Sequence, residues 1–416
     1  MSAEFDNKLA EYAQLLVSVG LNIQKGQELC ISSPIDPKCA EFVRMCAQAA
    51  YDLGASEVNV DWNDEKLGRM KYLRASDEVF DKFPQWNVDK LMTRAKNGAA
   101  LLAIAASDPE MLKGVNSDRI MRRTRSSGKA LEEYYALEFK NAFAWCVASV
   151  PVPSWSKKVF PHLSPKKAEE ALWDSIFKAV RVDGSGNAVT LWRDHIDRTA
   201  RRAEKLNSYA FDSLHYTNSL GTDLVAKLPQ NHIWIGGAEK TSGEKEIPFV
   251  ANIPTEEIFT APIRNGVNGI VYASMPLCID GNVIRNFNFV VKDGKIVEAH
   301  AEEGEQILKN AISVDEGASY FGELALVQYD SPIRKMGILF YNTLFDENAS
   351  CHIAFGEAYP CIKDSAGKSK SELIPLGLND SITHEDFMIG TPDLRIIGTT
   401  KSGEKITVFE NGNFAF

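Results

Sequence analysis

The segment from Asn286 to Ala301, NFNFVVKDGKIVEAHA, decides the fold of the second half of this 416-residue chain. Apolar and polar residues alternate on both sides of Asp293 and Gly294, which is the pattern of half-buried strands. An Asp-Gly pair between two such runs favours a tight turn of the primed type. The segment therefore predicts a β-hairpin.

Short alternating stretches of the same kind surround the hairpin from His215 onward. They read HYTNSLGTDLVAKL, HIWIGG and NGIVYASMPL, and Gly, Pro and Asn separate them. Alternation with frequent turn residues is typical of sheets that bury one face. We therefore predict that the second half is β-rich and mainly antiparallel.

In the first half of the chain, strand patterns alternate with helical patterns. Strand patterns occur near residues 28–32, 58–62, 100–106 and 143–152, and a helical pattern follows Pro37. This alternation predicts a doubly wound, mostly parallel α/β domain. The polar segment VDGSGN, residues 182–187, precedes a long helical pattern and is the predicted linker. The predicted domains are residues 1–186 and 187–416.

Charge argues against some classes of partner, and cysteine content and hydropathy indicate the location of the protein. The net charge is −10 and no basic run offsets it, which argues against nucleic acid or an anionic membrane as partner. Seven cysteines without a CxxC pair indicate a reducing compartment. The N-terminal segment lacks the pattern of a signal peptide, and no apolar run approaches the length of a membrane span. We expect a cytoplasmic protein.

The region from Asn342 to Gly390 contains the densest group of possible metal ligands. His384 and Asp386 are one residue apart in the strand pattern THEDFMI, so both side chains leave the same face. Imidazole and carboxylate together suit zinc, cobalt or manganese better than calcium or magnesium. In CHIAFGEAY, His352 points towards an interior and Tyr359 can return to the same pocket. The alternative is a histidine that only hydrogen-bonds to a nearby aspartate in a structural core.

Two carboxylate motifs precede that region. NIPTEEIFTAP, residues 252–262, contains Glu256 and Glu257, and GELALV, residues 322–327, places Glu323 at the start of an apolar strand. A carboxylate among apolar neighbours is costly unless a cation or hydrogen-bond donors meet it. Composition alone leaves two alternatives open. The glutamate pair could form a surface turn, and Glu323 could pair with an arginine such as Arg334.

These motifs, together with NTLFDENASCHIAFGEAY and HEDFMIG, resemble the successive motifs of the aminopeptidase T and aminopeptidase S family of metallopeptidases, the thermophilic aminopeptidases. They occur in the family's order, and the resemblance runs nearly end to end. It implies that the C-terminal domain is catalytic and that Tyr359 lies at the site. It also implies a set of metal ligands, which are Glu257, Glu323, His352, His384 and Asp386.

The resemblance implies a metallo-aminopeptidase that removes amino acids from peptides with a free N-terminus, and that acts as a homodimer. These five ligands are more than one tetrahedral zinc ion requires. We therefore expect two ions, roughly 3.5 to 4 Å apart, with Glu323 as the bridge. Glu256 is the predicted general base, with Glu347 or Glu323 as alternatives. Tyr359 is either an oxyanion donor or a ligand.

Two other functions stay open from the sequence. A two-metal amidohydrolase that acts on a non-peptide amide or ester would share the ligands without recognising an α-amino group. A metal-bound but inactive binding protein would retain the ligands without turnover. The sequence contains no HExxH, GxSxG or GxGxxG motif, which argues against a thermolysin-type site, an α/β-hydrolase nucleophile and a dinucleotide fold.

Overall fold

A computed structural model describes residues 3–243, 245–279, 281–363, 365 and 368–416. The chain forms two compact units, the first made of Met1–Asp197 and Ala238–Thr255 and the second of Arg198–Gly237 and Glu256–Phe416.

These units differ from the predicted domains at two places. The chain leaves the first unit after Asp197, inside a long helix, and residues Ala238–Thr255 return to the first unit. The predicted boundary after residue 186 lies just before that helix. The division into domains 1–186 and 187–416 stays a prediction.

The helices concentrate in the first half of the chain. None of those in the described residues is both long and apolar enough to cross a membrane. Their bounds are α1 Ala3–Leu15, α2 Pro37–Asp52, α3 Glu65–Arg74, α4 Gln85–Lys96, α5 Ser117–Ala130, α6 Glu132–Phe139, α7 Pro153–Val159, α8 Pro165–Ala179, α9 Ala188–Tyr209, α10 Glu305–Ala311, α11 Pro332–Lys335, α12 Thr343–Asp346 and α13 Lys370–Leu373.

Most strands lie in the second half. Their bounds are β1 Glu28–Pro34, β2 Glu57–Asn63, β3 Ala100–Ile104, β4 Trp145–Ala148, β5 Phe211–Thr217, β6 Asp223–Lys227, β7 Ile235–Gly236, β8 Glu239–Lys240, β9 Pro248–Phe249, β10 Ile258–Thr260, β11 Val267–Tyr272, β12 Leu277–Ile279, β13 Asn282–Lys292, β14 Lys295–Glu303, β15 Phe321–Leu326, β16 His352–Gly356, β17 His384–Met388, β18 Arg395–Thr400, β19 Lys405–Glu410 and β20 Asn413–Phe414.

The first unit contains a four-stranded parallel sheet in the order β2-β1-β3-β4. Helices connect its strands, as parallel pairing requires. Helix α2 begins at Pro37 because Asp36 caps it, its carboxylate accepting the Lys38 N–H at 2.8 Å. The predicted mostly parallel α/β fold of the N-terminal half is confirmed.

The second unit contains two antiparallel sheets. Five strands pair in the order β17-β16-β15-β10-β7, and a nine-stranded sheet runs β12-β13-β11-β6-β5-β18-β19-β20 with β14 beside β13. Alternate residues of both sheets bury apolar side chains in one core, including Phe289, Ile353, Phe387 and Ile396. The predicted β-rich, mainly antiparallel C-terminal half is confirmed.

The predicted hairpin is also confirmed. Strands β13 and β14 pair in antiparallel register up to Lys292 opposite Lys295. The two turn residues between them, Asp293 and Gly294, have φ values of 48° and 81°. Positive φ at both central positions is the primed geometry that matches the twist of the flanking strands.

Gly294 provides a test of this turn. A Cβ atom added there would lie 1.7 Å from the carbonyl oxygen of Arg264, so Gly294→Ala combines a backbone conformation unfavourable to alanine with a collision against main chain. Gly403→Ala is the matched control, because φ is +85° and the added Cβ meets no described atom within 4 Å. We expect Gly403→Ala to lower the free energy of unfolding by about 1–2 kcal/mol and Gly294→Ala to lower it by more. The measurement is the decrease in the thermal unfolding midpoint of each variant. Equal decreases in the unfolding midpoint of the two variants would show that the contact with Arg264 does not affect stability.

Candidate metal centre

Four neighbouring strands of the five-stranded sheet carry the predicted ligands. Glu257 immediately precedes β10, Glu323 lies in β15, His352 opens β16, and β17 carries both His384 and Asp386. The strands are adjacent in the order β17-β16-β15-β10. The antiparallel sheet therefore gathers ligands that are far apart in the sequence.

Strand register explains why the ligands share one face. Ala354 of β16 pairs with Glu323 on one side and with Asp386 on the other. The alanine methyl leaves space between the two carboxylates that a larger side chain would fill. The intervening residues Ile353 and Phe387 point to the other face and join the apolar core.

The ligand atoms form two overlapping groups. Glu257, Glu323 and His352 form one, Glu323, His384 and Asp386 form the other, and in each the ligand atoms lie within 4.8 Å of one another. Glu323 belongs to both. Its Oε1 is 3.5 Å from Nε2 of His352, and its Oε2 is 3.7 Å from Nε2 of His384. Each oxygen of this carboxylate thus faces a different histidine.

Backbone carbonyl groups orient both histidines. Nδ1 of His352 lies 3.1 Å from the carbonyl oxygen of Ser350, and Nδ1 of His384 lies 2.8 Å from that of Glu357. With Nδ1 hydrogen-bonded to a carbonyl group, Nε2 of each ring faces the carboxylates and is the nitrogen placed to bind a metal ion. This outer hydrogen bond is typical of histidines that bind metal ions.

The electrostatics of the cluster show a deficit of positive charge. Burial raises the pKa of Glu323 to about 7, although the hydrogen bond with His352 opposes the rise. Burial also opposes ionisation of His384, but the charge of Asp386 raises the pKa of His384 to about 10. Oδ1 of Asp386 is buried without a hydrogen-bond partner among the described residues. Buried carboxylates with an orphaned oxygen, beside two oriented imidazoles, fit a divalent cation.

Glu347 joins this cluster, although the sequence interpretation did not assign it as a ligand. It is 8% exposed, and burial together with the charges of Asp386 and Glu257 raises the pKa of Glu347 well above its ordinary value. Its place five residues before His352 in the same motif was the available signal.

The sequence interpretation gave no role to Asn348. Its side-chain oxygen accepts the backbone N–H of Glu256 at 2.7 Å, and its amide nitrogen lies 3.3 Å from Oε1 of Glu347. Asn348 is fully buried. The amide therefore ties the segment before β10 to the turn that carries Glu347, and that contact depends on tertiary structure.

The two predicted catalytic residues lie differently with respect to the cluster. Glu256 belongs to neither ligand group, and its carboxylate interacts electrostatically with the guanidinium of Arg202 in α9. The ring of Tyr359 packs edge-on to His384, with 5.3 Å between ring centroids. Their roles as base and as donor or ligand stay predictions.

Two alternative interpretations of the carboxylates are not supported. The side chain of Glu257 is only 13% exposed, which does not fit a surface turn. Arg334 packs over the ring of Tyr329 at 5.0 Å from its centroid, while Glu323 faces the two histidines.

Comparisons with known proteins find relatives along almost the whole chain. A family model described as thermophilic metalloprotease (M29) matches residues 5–414. Aminopeptidase AmpS of Bacillus subtilis is 44% identical over 414 residues, covering 99% of each chain. Aminopeptidase T of Thermus thermophilus is 37% identical, again over 99% of each chain.

A solved structure gives the same result. Wild-type AmpT from Thermus thermophilus superimposes with a TM-score of 0.90 at 35% sequence identity, covering 99% of this chain and 100% of that one. The family match and the full-length relatives are independent of the site geometry described above. This chain belongs to the thermophilic metalloprotease (M29) family.

Proposed function

We propose that this chain is a metal-dependent aminopeptidase that releases N-terminal amino acids from peptides and uses two divalent cations. The observation that carries the proposal is the position of Glu323, which belongs to two ligand groups and directs one oxygen towards each histidine. A carboxylate in that position suits a bridge between two ions. Family membership supports the hydrolysis of peptides.

The proposed ligands divide between the two ions by group. Glu257 and His352 would hold one ion, His384 and Asp386 would hold the other, and Glu323 would contribute to both groups. The bound cations would activate a water, polarise the scissile carbonyl and attract the free α-amino group. The carbonyl groups of Ser350 and Glu357 orient the two imidazole rings, which is the usual support for histidines that bind metal ions.

A carboxylate must also accept the proton of the attacking water. Glu256 is the predicted base, and its carboxylate also interacts electrostatically with Arg202. Glu347 is the alternative, since it is buried and its charge interacts with those of the ligands Asp386 and Glu257. A carboxylate beside the ligands is placed to accept the proton of the water.

Tyr359 is proposed to assist at the substrate carbonyl. Its ring lies beside His384 and Phe259, at centroid distances of 5.3 and 5.7 Å, and the residue is 36% exposed. A phenol at the edge of the cluster can donate a hydrogen bond to a developing oxyanion.

The proposal also includes the identity of the metal ion, the cellular location and the oligomeric state. Nitrogen and oxygen ligands accept zinc, cobalt and manganese. No disulfide joins the cysteines of the described chain, which supports a cytoplasmic location.

Helix α3 has no buried residue and exposes Leu67, Met70 and Leu73, at 62, 57 and 49%, which supports contact with a second subunit in a homodimer. Light scattering after size-exclusion chromatography tests the dimer.

The test of the function uses two substrates and several metals. The protein is stripped with chelator, reloaded with zinc, cobalt or manganese separately, and assayed with leucine p-nitroanilide and with its N-acetylated form. We expect metal-dependent release of nitroaniline from the free-amine substrate only, because the proposed site recognises the α-amino group. Cleavage of both substrates would indicate a different amidohydrolase. Bound metal without cleavage of either would indicate the inactive binding protein.

A further inference from the structure

Among the proposed metal ligands, Glu257 differs in how its backbone is held. The other four lie in strands of the five-stranded sheet, whereas the antiparallel pairing of β10 begins only at Ile258, opposite Leu326. The side chain of Glu257 is nevertheless only 13% exposed, and its Oε2 lies 3.1 Å from Nε2 of His352. A contact other than strand pairing is therefore needed to fix the position of this carboxylate.

The side chain of Asn348 supplies such a contact one residue before Glu257. Its Oδ1 accepts the N–H of Glu256 at 2.7 Å, and its Nδ2 donates to the carbonyl oxygen of Leu344 at 2.9 Å. The second bond sets the orientation of the amide, because a flipped amide would turn its N–H₂ towards the N–H of Glu256. Asn348 is fully buried, where a backbone hydrogen bond is costly to lose.

The turn that carries Asn348 is itself tied to His352. Asn348 lies four residues before His352, which opens β16. Between them, the carbonyl oxygen of Ser350 lies 3.1 Å from Nδ1 of His352, and the hydroxyl oxygen of Ser350 accepts the N–H of Gly390 at 2.9 Å. The turn thus has a fixed place relative to His352, and Asn348 holds the segment of Glu257 to that turn.

We propose that Asn348 is a positioning residue that holds Glu257 beside His352 and thereby sets the affinity for the ion of this ligand group. The inference rests on the proposed metal-dependent function. Glu257 and His352 belong to the same group. The ligands particular to the other group, His384 and Asp386, lie on β17 and are held by its pairing with β16. Loss of the Asn348 amide should therefore weaken the binding of one ion far more than that of the other.

The test measures metal affinity without a substrate. Stripped protein is titrated with cobalt alone, and the visible absorption of the bound ions follows each step of binding. Asn348→Ala removes the amide, and Asn348→Ser is a milder variant should the first not fold. Asn207→Ala is the matched control. The Oδ1 of Asn207 accepts the N–H of Trp234 at 2.8 Å and its Nδ2 donates to the carbonyl oxygen of Trp234 at 3.0 Å, and Asn207 belongs to neither ligand group.

We expect Asn348→Ala to weaken the binding of one cobalt ion by roughly 10- to 100-fold, the usual loss when an outer partner of a metal ligand is altered. The other ion should bind with nearly wild-type affinity, and Asn207→Ala should bind both as wild type does. In a Glu257→Gln background, Asn348→Ala should lower the affinity little further, because the two residues act as one unit.

Three outcomes of the titration would overturn the role of Asn348. They are an unchanged affinity in Asn348→Ala, an equal weakening of both ions, and a full additional loss in the Glu257→Gln background. The last two are what a merely structural residue would produce.

Activity distinguishes this inference from the proposed function. Saturating cobalt should restore most of the turnover of leucine p-nitroanilide in Asn348→Ala, since the variant keeps every proposed ligand. If wild type binds cobalt but cleaves no amide, the aminopeptidase is overturned, and the titration still decides the role of Asn348. If wild type binds no cobalt, the proposed function and the role of Asn348 are both overturned.

Discussion

Replacing Glu323 by glutamine is expected to abolish turnover of leucine p-nitroanilide and to reduce the amount of metal bound. In the structure each oxygen of Glu323 faces a different histidine. Glutamine keeps one acceptor oxygen but turns an amide N–H₂ towards the other histidine, so one ion loses an anionic ligand and meets a donor instead. We expect a fall in kcat/KM greater than the roughly 10- to 100-fold loss that follows when only an outer-shell partner of a metal ligand is altered.

The measurement pairs kinetics with metal analysis by mass spectrometry. Glu298→Gln is the matched control, since Glu298 lies on β14 with a side chain that is 60% exposed, and the same chemical change there should leave both readouts at wild-type values. Because Glu323 is proposed to bind both ions, Glu323→Gln should lower the metal content at both positions. If the variant keeps its full metal content and most of its activity, Glu323 is not a shared ligand.

Local sequence patterns were sufficient to predict several elements of the fold. The hairpin at Asp293 and Gly294 and the strand that carries His384 and Asp386 follow from period-two alternation and turn chemistry, which depend only on neighbouring residues. The return of Ala238–Thr255 to the first unit has no such signal, because it depends on contacts between distant segments.

The ligand cluster was predictable in two different ways. The residue pattern alone placed His384 and Asp386 on one face, which the pairing of β17 with β16 supports. Glu257 and Glu323 stood out as carboxylates among apolar neighbours, but they were assigned as ligands only through the resemblance to a family, since nothing local shows that β10 and β15 become neighbours of β16. Asn348 illustrates what neither route found. Its side-chain oxygen accepts the backbone N–H of Glu256, which is distant in the sequence, so this hydrogen bond exists only in the folded chain.

Removing the metal is expected to lower the thermal stability of the protein as well as its activity. Without cations, the carboxylates of Glu257, Glu323, Glu347 and Asp386 remain together in a buried site, where like charges repel and desolvation is costly. Ions that bind only the folded state stabilise it by about 4 kcal/mol when their concentration is 1,000 times Kd. For a unit of this size, that corresponds to a shift in the unfolding midpoint on the order of 10 °C.

Thermal denaturation of stripped protein, with and without added zinc, cobalt or manganese, measures this shift independently of any substrate. In His352→Ala the added metal should restore little or none of it, because His352 belongs to one of the two ligand groups and lies 3.1 Å from Glu257. His300→Ala is the matched control, since that histidine is 56% exposed on β14 and belongs to neither group. Its response should equal that of wild type. An undiminished response in His352→Ala would mean that the stabilising ions bind elsewhere on the chain, and the four strands described above would then need another explanation for their buried charges.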